Sequence, residues 1–175
     1  EIDHFTCVDE LSHEDNGGGA GHLDETEVNS PLLYQYVVID VAELVGNIYG
    51  IEPAKWREVE DTAAAQEAIR RLVNLLATDV VGAKKGSTAP YSSADLVLLE
   101  VGKTQPRTLA NAYQRPVKPD PEIAADSLYR HMAAKDRMYG VTTQRFLATC
   151  NEGETPITPT TLDEAARSAA TAAFS

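Results

Sequence analysis

Three histidines and a cysteine, His4, Cys7, His13 and His22, stand near the front of the chain in an H-x2-C-x5-H-x8-H pattern. Zinc accepts such ligands in tetrahedral sets, usually gripped from two tight turns. Here His13 and His22 flank a tract containing Gly17, Gly18 and Gly19, with no turn-fixing partner. Solvated loop histidines are therefore the plainer expectation. The alternative is a metal-dependent nuclease or hydrolase in which these four residues hold the metal beside nearby carboxylates. A second stretch, "GAKKGST" at residues 82–88, offers glycines and two lysines to an anion. It is not a Walker A loop, because Lys84 and Lys85 precede Gly86 and a strand, not a helix, is expected next. It reads either as a contact for a phosphodiester backbone or as a simple connection. Ser87, Ser92 and Ser93 lack a nucleophile-elbow setting, His131 falls within an expected helix, and Cys150 has no companion base in view. These residues form no recognisable catalytic constellation.

Charge is distributed unevenly around these candidates. The chain has 175 residues and a formal charge of −12, from 27 acidic and 15 basic residues. The segment Glu1–Ala54 carries 12 of the acids and neither lysine nor arginine. The remainder is balanced, so the acidity argues against phosphate binding only at the front. Length and apolar content fit one globular domain or a large part of one. Two cysteines are too few for a disulfide scaffold, and no signal peptide or membrane-length apolar run is visible, so a cytoplasmic location is expected.

The elements that would position these residues follow from periodicity. The glycine-bearing acidic stretch Glu10–Ser30 predicts a mobile loop. "LYQYVVIDV", Leu33–Val41, is β-branched and aromatic with two apolar faces, which predicts a strand covered on both sides. A helical turn before Gly50 follows. Asp61 then caps a helix to Val80, with Ala65, Ile69, Leu72, Leu76 and Val80 at helical spacing and Val73 beside them. Leu96–Val101 predicts a second strand. Beyond it "TLANAYQ", Pro121–Met138 and Leu162–Phe174 predict helical pieces, with Ile123, Leu128 and Met132 facing the core and an alanine-rich, more weakly amphipathic tail. Two strands alone do not bury their faces, so this strand-helix-strand unit needs further strands.

Four blocks in order, "EIDHFTCVDEL", "LLYQYVVIDVAELV", "LVNLLATDVVGAKKGSTAPYSSADLVLLEV" and "LANAYQRPV", resemble the C-terminal half of CasC-type backbone subunits of the type I-E CRISPR Cascade complex. The resemblance implies an α+β fold: part of an RNA-recognition-motif-like (ferredoxin-like) palm, with an extended thumb and C-terminal helices. Residues 1–30 would be the thumb, 31–117 the C-terminal half of the palm and 118–175 a helical extension. The rest of the palm and the main basic RNA contacts would lie upstream of Glu1, leaving the sheet incomplete. It further implies a non-enzymatic, cytoplasmic, cofactor-free scaffold that polymerises along CRISPR RNA for pairing with target DNA. Its partners would be further copies of itself and the CasA, CasB, CasD and CasE subunits. Phe5 and Thr6, with Val8 nearby, match thumb residues that reach the nucleic acid, and Leu23 matches an apolar residue beside a displaced nucleotide. Lys84, Lys85, Ser87 and Thr88 would touch the RNA backbone or a neighbouring subunit. A wedge entering a base stack needs apolar or small groups, which suits a thumb without positive charge.

Overall fold

The computed structural model describes residues 2–7, 22–27, 32–78, 93–103 and 105–175, the first two of these as backbone. The chain is α+β. Its first element is a hairpin of β1 (Ile2–Cys7) and β2 (His22–Glu27), antiparallel from Ile2↔Glu27 to Cys7↔His22.

A helix α1 (Val41–Tyr49) follows residues 32–40. Asp40 caps it, Oδ1 accepting from the N–H groups of Ala42 (3.0 Å) and Glu43 (3.1 Å), and Gly50 closes it at φ 67°. The expected strand Leu33–Val41 does not form among the described residues: residues 32–40 have no ladder partner there, and Val41 already belongs to the helix. Composition gave this stretch the appearance of a strand, but a strand exists only with a neighbour to pair with, and the Asp40 cap ends the run. Leu33, Tyr36, Val37 and Val38 are consequently exposed. Tyr34 holds the stretch in place, its ring tilted against Tyr113 at 5.6 Å and its hydroxyl accepting from the Leu109 N–H.

A short 3-10 helix (Pro53–Glu58) leads to α2 (Ala63–Thr78), where Asp61 Oδ1 accepts from the Ala63 N–H as expected. The buried stripe is Ala65, Ile69, Val73 and Ala77. Leu72 and Leu76, expected at its centre, are only half-buried. The stripe is rotated because α2 packs on the small-residue face of the last helix, where alanine permits close approach.

Strand β3 (Leu96–Val101) pairs antiparallel with β4 (Gln144–Thr149), from Leu96↔Thr149 to Val101↔Gln144. Between them lie a short 3-10 helix (Ala110–Tyr113) and α3 (Pro121–Tyr139). The chain then reaches α4 (Leu162–Ala172), opened by a reciprocal capping box between Thr161 and Glu164. Both faces of β3 are covered, so period-2 alternation makes Leu96–Leu99 a continuous apolar run before Glu100. Leu96 and Leu98 pack with Leu147 into a core with Leu109, Leu128, Tyr129 and Met132 on one face. Val97 and Leu99 pack on the other face with Ile69 and Val73 of α2 and Ala166 and Ala170 of α4. The two-stranded sheet is thus sandwiched between helices.

Two further expectations are corrected here. Ile123 is 40% exposed, whereas Leu128 and Met132 are buried as expected. Ile123 lies in the first turn of α3, before the helix reaches the sheet. The alanine-rich tail is the most deeply inserted helix: Ala165, Ala166, Ala169 and Ala170 are all 4% exposed or less. Among the described residues, no helix is long and apolar enough to cross a membrane.

Candidate nucleic-acid interface

The hairpin register arranges several residues singled out by sequence. Thr6 stands opposite Leu23 and Phe5 opposite Asp24. Two residues that would reach a nucleic acid, far apart in sequence, therefore become neighbours across one ladder rung. His4 is paired with Glu25 and Cys7 with His22. Val8, His13, Lys84, Lys85, Ser87 and Thr88 lie outside the described residues.

The positive charge elsewhere falls into two classes. Arg107 and Arg145 are committed internally, in a half-buried cluster that ties α3, both strands and the segment after β3 together. Arg107 Nη2 donates to Glu100 Oε1 (2.7 Å) and Asp136 Oδ1 (2.8 Å). Arg145, the register partner of Glu100, donates through Nε to Glu100 Oε1 (2.8 Å) and through Nη1 and Nη2 to the two Asp136 oxygens (2.8 and 2.7 Å). Burial pushes the Glu100 carboxyl up, and the Arg107 and Arg145 hydrogen bonds outweigh it, leaving the group below its ordinary value. Asp136 follows the same pattern: burial raises it, and the bonds from Arg145 and then Arg107 bring it below the ordinary value. A second network on the α2–α4 surface joins Arg70 and Arg71 to Glu67, and Arg70 and Arg167 to Asp163. The Arg70 and Arg71 bonds hold the Glu67 carboxyl at about 2.

Arg115 and Arg130 belong to the other class: both are exposed, and neither has a carboxylate partner among the described residues. Both line a groove of about 560 Å³ between α3 and the segment from Asn111 to Val117. The groove is positioned by two bonds from side chain to backbone. Tyr113 Oη donates to Ala124 O (3.1 Å) and Ser127 Oγ to Ala112 O (2.9 Å), fastening the 3-10 turn to the helix. His131 also lines it, and its Nε2 is buried without a hydrogen-bond partner. Sequence reasoning treated His131 as a helix residue and passed over both arginines, because nothing in their spacing joins residue 115 to residue 130.

A smaller hollow of about 350 Å³ is lined by Trp56, Arg57, Lys103 and Phe174. Its aromatic surface is already used: Arg57 lies 4.4 Å over the Trp56 ring and Phe174 meets that ring edge-on. Among the described residues, no group of three or more His, Cys, Asp or Glu side chains is arranged to hold a metal ion. The His4, Cys7, His13 and His22 set falls outside that statement, because only the backbone of His4, Cys7 and His22 is described.

Comparison with known proteins adds the following. The family model described as CT1975-like protein matches residues 1–173. A comparison with curated proteins finds no match. Among solved structures, the fold superimposes with a TM-score of 0.72 on a chain described as "CRISPR RNA-guided surveillance complex, pre-nicking". The two are 20% identical, and the match covers 99% of this chain and 51% of that one. A chain described as "CRISPR RNA-guided surveillance complex" gives a TM-score of 0.65 at 20% identity, covering 97% of this chain and 65% of that one. The chain thus spans about half the length of the first and under two thirds of the second. At such identity the likeness is one of fold.

Proposed function

Because the chain belongs to the CT1975-like protein family, we propose that it acts as a repeating backbone subunit of a CRISPR RNA-guided surveillance complex, holding guide RNA for pairing with target DNA. The observation that carries this is the nearly complete superposition of the chain on chains from two such complexes. In this role the protein grips backbone shape and leaves sequence to base pairing. Phe5, Thr6 and Leu23 on the β1–β2 hairpin meet the nucleic acid at bases rather than phosphates, in keeping with a segment that has no lysine or arginine. The four sequence blocks favour the type I-E assembly in the cytoplasm, with CasA, CasB, CasD and CasE as the other subunits. The role is that of a scaffold, without a catalytic step.

The test is binding of guide-length single-stranded RNA over a salt series. The expected result is weak binding at low ionic strength that falls linearly in log affinity against log salt, with a slope of about −0.7 for each phosphate neutralised. Absence of binding at low salt would overturn the proposal.

A further inference from the structure

We propose that the groove between α3 and the Asn111–Val117 segment binds one phosphodiester-linked ribonucleotide of single-stranded RNA, with Arg115 and Arg130 on its phosphate. This rests on the RNA-binding function proposed above and gives that function a site in the body of the molecule, away from the hairpin.

The first support is electrostatic. The chain carries 27 acidic residues against 15 basic ones, yet among the described residues no Asp or Glu lines this groove while two arginines do. The arginines of the internal clusters are neutralised by carboxylates at 2.7–2.8 Å. Arg115 and Arg130 are not so neutralised among the described residues, where Arg130 Nε donates only to the Asp126 backbone carbonyl. Two planar guanidinium groups converging on one hollow fit a phosphate, which accepts such forks in bidentate fashion.

The second support is the rest of the lining. Asn111 and Gln114 add amides able to donate and accept, as the edge of a base or a ribose hydroxyl requires. Pro116 and Val117 supply an apolar wall against which a base can rest. The buried His131 Nε2 lacks a partner among the described residues, an unfavourable situation that a hydroxyl or phosphate oxygen settling against it would relieve. The volume of about 560 Å³ lies within the range of roughly 300–1,000 Å³ usual for small-ligand sites. The walls are fixed beforehand by the Tyr113 and Ser127 hydrogen bonds, so little ordering is needed on binding.

The experiment compares the whole chain with its Arg115→Gln/Arg130→Gln double variant. Binding of fluorescent single-stranded RNA is measured over a salt series, with thermal unfolding and sedimentation alongside. Both side chains are exposed, so the variant should unfold at the parent temperature. Its affinity should fall about tenfold or more, and the log–log salt slope should become shallower by about 0.7, one phosphate's worth. Ultraviolet cross-linking to 4-thiouridine RNA should label peptides spanning residues 110–131 in the parent chain. If the parent binds RNA and the variant matches it in affinity and slope, the groove is not the site, and the RNA-binding function stands without it. If the variant changes self-association while RNA binding is untouched, the groove is a protein contact and the proposal is overturned. If the parent itself binds no RNA, the broader function fails and takes this site with it.

Discussion

Replacing Asp136 by asparagine leaves Arg107 and Arg145 to share a single carboxylate, Glu100. The side chains of this cluster are only 15–22% exposed, so the lost charge is poorly replaced by water. Such a change should cost about 2 kcal/mol near neutral pH, between the values for exposed and fully buried pairs, seen as a lower urea midpoint. The same cluster sets a pH dependence. Glu100 and Asp136 have folded-state values below their unfolded ones, so their contribution is complete above the ordinary carboxylate range, near pH 4. It is lost as pH falls through the lower folded-state values. Wild-type protein should lose stability steeply below about pH 4, and Asp136→Asn should do so less steeply. Parallel acid profiles for the two proteins would contradict this assignment.

At the scale of elements, α4 joins the two-stranded sheet to α2, and its capping box decides where it begins. Thr161 Oγ1 accepts from the Glu164 N–H (3.3 Å), and Glu164 Oε2 accepts from the Thr161 N–H (3.2 Å) and hydroxyl (2.8 Å). Thr161→Ala should lower stability by about 1 kcal/mol in chemical unfolding, and an unchanged midpoint would show the cap to be dispensable. This helix also marks the limit of what sequence reveals. Strand Leu96–Val101 and the helices beginning near Asp61 and Pro121 were legible, because leucine, isoleucine and valine mark a buried face strongly. An alanine face marks it weakly, yet alanine lets α4 approach α2 closely. Gln144–Thr149 was missed because Gln144 and Arg145 are polar, and Arg145 becomes a strand residue only once Glu100 stands opposite it. Leu33–Val41 departs in the other direction, with strand composition and no partner among the described residues. The site was legible in part. Phe5 and Thr6 of the hairpin fall in the first of the ordered sequence blocks, whereas the groove is made by a fold that brings Arg115 to Arg130, which local spacing does not encode.

For the whole molecule, the separation of charge is the organising feature. The first 54 residues carry 12 acids and no lysine or arginine, and the hairpin lies within them. Arg115 and Arg130, without carboxylate partners among the described residues, lie in the body, where in the proposed role they would hold a phosphate backbone while the hairpin meets bases. In the proposed role the subunit would contact RNA and its neighbours through different surfaces, a heterologous arrangement that adds copies along a strand instead of closing into a dimer. The most direct test is native mass spectrometry of the protein mixed with one guide-length RNA at low ionic strength. The account predicts species carrying several copies of the chain on a single RNA, with the count rising as the RNA is lengthened. A single copy per RNA at saturating protein, whatever the RNA length, would contradict it.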